Sequence, residues 1–161
     1  MKMDNLLILG LILTVLPVFE LRGGLPFIVE YALNNSSPIW PYFIIVLILN
    51  ISVIFFIFLF LDFIHESFMN ISIYRRFMSR YIERSKEKGE RLIKKMDKIG
   101  YAALALFVAI PLPGTGAWTG TLVAWVLGLN RKKSIVAISI GVIIAGFIVL
   151  LGSLGLIGIF S

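Results

Sequence analysis

The chain has no cysteine, a single histidine and only nine acidic residues among 161. Without cysteine there is no disulfide framework and no thiolate chemistry. One imidazole, His65, cannot build a zinc cage, so neither a metal nor a cofactor is expected. Charge is scarce, at 15% of residues against about 25% in soluble domains. What remains is apolar, with 59% hydrophobic residues and a mean hydropathy of +0.98. That excess rules out an ordinary soluble domain and predicts an integral, multi-pass protein of the plasma membrane.

The net charge of +6 is concentrated rather than spread. Ten of the fifteen Lys and Arg lie between Arg75 and Lys98, and Arg131, Lys132 and Lys133 form a second cluster. This localisation, in a chain otherwise so apolar, argues against a nucleic-acid partner. Within the first cluster Tyr74, Phe77, Met78, Tyr81, Ile82, Leu92, Ile93 and Met96 make an apolar stripe. The region 67–98 therefore reads as a basic amphipathic connector lying on the inner leaflet. At the other extreme, Lys2 and the run Leu6–Leu16 imitate a signal peptide. No small-residue cleavage site follows, and Glu20-Leu21-Arg22 is a poor exit, so no cleavage is expected.

Two stretches, Ile39–Ile64 and Ser134–Phe160, are 26 and 27 residues long and cross a bilayer unaided. Four others do not. Leu6–Phe19, Leu25–Leu33, Ile99–Ile110 and Ala117–Leu129 run to 14, 9, 12 and 13 residues, about half a crossing each. They are joined in pairs by PVFELRGGLP (Pro17–Pro26) and PLPGTGAW (Pro111–Trp118), whose prolines and glycines are turn chemistry. Lys and Arg collect on the cytoplasmic side. If 99–129 crossed once, the RKK at Arg131 would lie opposite the first basic cluster; as a re-entrant hairpin, it leaves both clusters inside. Both termini then lie outside, with the uncharged Asn34-Asn35-Ser36-Ser37.

Sliding the chain by 96 residues superposes Pro17 on Pro113, Gly24 on Gly120, Leu33 on Leu129, Asn34 on Asn130 and Ile39 on Ile135. The predicted fold is thus all-α and built of two inverted repeats. Repeat 1 (1–66) holds a hairpin over 6–33 and a span over 39–64. Repeat 2 (99–161) holds a hairpin over 99–129 and a span over 134–160. Inverted repeats with broken helices are a transporter architecture.

Irregular backbone at membrane depth must be buried in protein or line a wet cavity. The second half-helices are expected to begin near Gly24 and Ala117, with free N–H groups and positive dipole ends pointing inward, a site suited to an anion. Gly23, Gly24, Gly114 and Gly116 would let backbone and substrate approach. Thr115 and Thr119 add hydroxyls, and Trp118 an amphipathic ring. Arg22 supplies the charge and a fork that fits phosphate or carboxylate. Glu20, two residues away, would neutralise Arg22 in the empty site and accept a proton when substrate binds. The bland alternative is a Glu20–Arg22 ion pair that braces the turn. Asn50 and Ser52 read as bonding across helices, and Glu30, Asp62, His65 and Glu66 as facing headgroups or water. Gly141, Ala145, Gly146, Gly152, Gly155 and Gly158 allow close packing of the last span, within the chain or in a homodimer.

At ELRGGLP (Glu20–Pro26) and PLPGTGAWTG (Pro111–Gly120) the sequence resembles the small multi-drug export protein family of bacteria and archaea, over nearly the whole chain. More distantly, two hairpins with an acidic residue and an arginine are similar to the DedA family of membrane proteins. That resemblance implies proton-coupled translocation of lipid phosphates such as polyprenyl phosphates. The small four-helix multidrug exchangers lack such hairpins. Three functions follow as expectations: a proton-coupled flippase for an anionic lipid phosphate, a cation–proton drug exporter using Glu20, or a non-transporting scaffold or assembly factor. No nucleophile–base pair appears, so no enzyme is expected.

The topology is open to test in a chain with no native cysteine. Cysteine placed at Ser36 should react with an impermeant maleimide in intact cells, and at Ser85 should not. Labelling at Ser85 but not Ser36 would overturn the orientation.

Overall fold

The computed structural model describes residues 3–68, 99–112 and 114–160. Six helices occupy them: α1 (Met3–Val15), α2 (Glu20–Asn34), α3 (Ile39–Phe68), α4 (Ile99–Ala109), α5 (Ala117–Val126) and α6 (Arg131–Phe160). No strand occurs among the described residues. Beyond its first two residues, the connector expected over 67–98 lies outside the described residues.

Helices α3 and α6, each of 30 residues, are long enough to cross a bilayer. Pro41 sits at the third position of α3, where its missing N–H has no intrahelical partner to lose. Helices α1, α2 and α5 have 13, 15 and 10 residues, too few to span alone. Both long helices expose apolar side chains along their lengths, Ile48, Phe56, Leu59 and Phe63 on α3 and Val136, Phe147 and Leu151 on α6 among them. A continuous surface of that kind is stable against acyl chains and not against water.

α2 lies at the centre, packed on α1, α3 and α6. Its buried residues Leu21, Leu25, Ile28, Val29 and Ala32 recur at helical spacing, and the first four share one core with Phe43, Val46 and Ile54 of α3 and Ile138 and Val142 of α6. Asn50, fully buried on α3, donates to the Thr14 carbonyl of α1 at 3.0 Å, as expected for a bond across helices. Ser52 instead bonds the Ile48 carbonyl of its own helix.

The helix ends differ from expectation in several places, and α1 stops at Val15 and α5 at Val126, short of Phe19 and Leu129. α2 begins at Glu20, not near Gly24, so only Leu16–Phe19 forms the break and ELRGGLP is helical with Pro26 inside it. The reason is packing. A Cβ on Gly24 would overlap the Thr14 hydroxyl and the Gly10 carbonyl, so this glycine serves close helix contact rather than a turn. α3 runs on to Phe68, and α6 starts at Arg131. Asn130 explains the latter, since its side chain accepts the Lys133 N–H at 3.2 Å and caps the helix.

α2 and α5 end alike. Ser36 and Gly128 adopt positive φ (49° and 63°), and the following N–H groups of Ser37 and Leu129 bond back to Ala32 and Ala124. Each is a Schellman cap. The caps stand 92 residues apart, against the register of 96 at Gly24 and Gly120, which makes α5 about one turn shorter.

Gly24→Ala should destabilise the protein by about 1–3 kcal/mol through overpacking, read as a lower melting temperature in detergent. Gly152→Ala, whose Cβ meets open space, should leave it unchanged.

Candidate functional site

The break between α4 and α5 is a true loop. Gly114 takes φ +82°, and the Thr115 hydroxyl donates to the carbonyls of Ile110 (2.7 Å) and Leu112 (2.9 Å). Where α4 stops, its last carbonyls have no partner in their own helix. Arg22, on the first turn of α2, answers them. Its guanidinium donates to the carbonyls of Val108 and Ile110, both at 3.0 Å, and of Leu112. A cation is thereby fixed at the negative end of the α4 dipole.

Where α5 starts, the opposite problem arises. Glu20 answers it: its carboxylate accepts the backbone N–H groups of Ala117 (3.1 Å) and Trp118 (3.0 Å). Only 3% of Glu20 is exposed, and its φ of +49° lies in the left-handed region, a strained conformation for a residue with a Cβ. Gly116 makes the approach feasible, because a Cβ there would overlap the carboxylate. The free helix N-terminus expected to receive a substrate anion is thus held by the protein's own carboxylate. Glu20 and Arg22 clamp the two sides of one break rather than simply pairing with each other.

The remaining candidate residues are also engaged. Trp118 donates its indole N–H to the Val15 carbonyl at the end of α1 (3.1 Å), and Thr119 its hydroxyl to Gly116 (3.3 Å). Arg22 and Trp118 stand 96 residues apart; Arg22 caps α4 and Trp118 caps α1. Gly23 packs on Phe19 and Gly24 on α1. Glu20, Arg22, Gly116 and Trp118 therefore come together, while Gly23 and Gly24 support them from behind and Gly114 lies on the loop's exposed side. The Nε of Arg22 is buried without a partner.

A second polar cluster escaped the sequence reading. Asp62, expected to face headgroups or water, accepts the Trp125 indole N–H at 3.0 Å and the Arg131 guanidinium at 2.8 Å, tying α3 to α5 and α6. Arg131 also lies over the Phe58 ring, 5.0 Å from its centre. The apolar run before Asp62 and its distance in sequence from Arg131 hid the pairing. Glu30 is exposed, as expected, and the side chains of His65 and Glu66 lie outside the described residues. No group of acidic or histidine side chains that could hold a metal occurs among the described residues.

The family described as "Putative small multi-drug export protein" matches residues 20–148. The chain belongs to this family. Its members are described as export proteins and not as enzymes, and with two apolar helices of spanning length this chain is a membrane protein of the transporter class. The match begins at Glu20 and takes in both clamp motifs, while α1 lies outside it. No curated protein and no solved structure matches the chain.

Glu20→Ala leaves the buried N–H of Ala117 and the half-buried N–H of Trp118 without an acceptor, and a buried group so left costs about 1–3 kcal/mol. Trp118→Phe removes a single neutral bond, worth about 0.5–1.5 kcal/mol. The exporter's melting temperature in detergent should therefore fall further for Glu20→Ala. Equal effects would mean that the carboxylate does not hold α5.

Proposed function

We propose that this exporter moves an anionic substrate by exchanging it with Glu20 at the N-terminus of α5, and that a lipid phosphate such as a polyprenyl phosphate fits the site. One observation carries the reading: the Glu20 carboxylate occupies both leading N–H groups of α5, two residues from Arg22. A carboxylate held by backbone donors is an internal stand-in for a substrate oxyanion. Protonation removes its charge and weakens its hold on the helix. The two N–H groups then become available to a phosphate, beside Arg22, which keeps its carbonyl partners and has its Nε still to give. Proton uptake is coupled to substrate entry in this scheme, and substrate release restores the clamp.

Two re-entrant hairpins in inverted repeats would bring these parts to the bilayer midplane. The half-length helices, the matched Schellman caps and the reciprocal caps of Arg22 and Trp118 support that arrangement. The basic connector and RKK would lie in the cytoplasm and both termini outside.

The family description favours a second reading, a drug exporter in which the Glu20 carboxylate exchanges a proton for a lipophilic cation. Arg22 opposes it, since a fixed positive charge at the site repels such a substrate.

The two readings differ in sign. Anion binding requires Glu20 to be neutral, so wild-type affinity for a polyprenyl phosphate should rise as pH falls through the titration of Glu20. Glu20→Gln should bind with no such pH dependence, and Arg22→Lys should bind weakly. Thermal stabilisation of purified protein measures all three by mass action. Stabilisation by ethidium, strongest at high pH, with none from phosphates, would replace the anion reading with the cation one.

A further inference from the structure

α4 and α6 touch where Gly141 admits the Ala105 carbonyl and the Val108 side chain; a Cβ at Gly141 would stand only 2.6 Å from that carbonyl. Nearer the N-terminal ends of the two helices they leave a groove of about 620 Å³. Ala102 and Ala105 on α4 face Val136 and Ile140 on α6, with Lys132 and Lys133 at the rim. The groove exists because alanines line the α4 wall, and its volume is within the range of about 300–1,000 Å³ usual for ligand sites. Val136 and Ile140 are 60% and 47% exposed, so it opens sideways onto the apolar surface of the bundle. Lys133 reaches over α4, its ammonium 5.7 Å from the centre of the Tyr101 ring, and Lys132 is exposed beside it.

We infer that this groove binds one anionic phospholipid from the bilayer, its acyl chain along Ala102, Ala105, Val136 and Ile140 and its phosphate at Lys132 and Lys133. The chemistry selects the occupant. The walls are apolar and continuous with the surface of α6, which suits a hydrocarbon chain. The rim carries two ammonium groups on stems long enough to reach headgroup depth. A cationic drug is repelled there. The connector is a poor occupant on charge, because residues 69–98 hold ten of the fifteen Lys and Arg. The site is separate from the Glu20 clamp and does not rest on the exchange scheme.

Purified full-length protein in neutral detergent can be titrated with phosphatidylglycerol, phosphatidylcholine or inorganic phosphate, with bound lipid counted by native mass spectrometry. One phosphatidylglycerol should be retained and should raise the melting temperature; phosphatidylcholine and inorganic phosphate should do neither. Lys132→Gln with Lys133→Gln should weaken phosphatidylglycerol binding at least tenfold. Ala102→Leu, at an exposed wall position, should fill the groove and prevent binding without unfolding the protein. Glu20→Gln should retain the lipid as wild type does, which distinguishes this groove from the exchange site. Equal retention of both lipids, or phosphatidylglycerol binding untouched by both groove variants, would sink the inference. So would carbodiimide cross-links from Lys132 to Glu83, Glu87, Glu90 or Asp97 that phosphatidylglycerol does not compete away, since they would put the connector in the groove.

Discussion

A broken helix leaves carbonyls at one cut end and amides at the other, and apolar neighbours can satisfy neither. The rest of this structure follows from how that debt is met at the α4–α5 break. One turn of α2 supplies both answers, Arg22 to the carbonyls of Val108, Ile110 and Leu112, and Glu20 to the amides of Ala117 and Trp118. The signs match the two dipole ends. Because both groups sit on one helical turn, α2 must run through the centre of the bundle. Its glycines and its fully buried apolar face then follow as packing requirements.

The clamp is tight yet carries strain and an unspent donor. Glu20 holds a left-handed φ, Gly116 must lack a side chain for the carboxylate to fit, and the Arg22 Nε has no partner. Strain of this kind clusters at functional sites in proteins generally, which supports the exchange proposed above. A carboxylate that fills an anion site within its own protein can be displaced only if it loses its charge or meets a stronger anion. These are the two routes that the proposed exchange would use.

The two ends of the bundle differ in character. The Asp62–Trp125–Arg131 cluster, Asn130 and the lysines of RKK gather at one end. At the other, Trp40 stacks edge-on with Phe43, and Tyr31 with Tyr42. Half-exposed ion pairs such as Asp62–Arg131 contribute only about 0–1 kcal/mol. Their effect here is positional: they tie α3, α5 and α6 at the end where the α4–α6 groove also opens.

Local pattern was enough to predict the helical class, the two long apolar helices, the four half-length helices and a break within Pro111–Trp118, because hydrophobic run length and turn residues act within a few positions. Glu20 and Arg22 stood out by charge alone, since ionisable groups are costly in apolar surroundings. What local pattern misread was the start of α2. RGG resembles a turn until α1 is laid against it, and only then do Gly10, Thr14 and Gly24 become a packing contact. The assignment of partners was likewise tertiary. Glu20 is 97 residues from Ala117, Arg22 is 86 from Val108, and Asp62 is 69 from Arg131. No local propensity reports on contacts across such separations. Sequence determined that this chain must break its helices and carry charge beside the break; the fold decided that the charge closes the break instead of leaving it open.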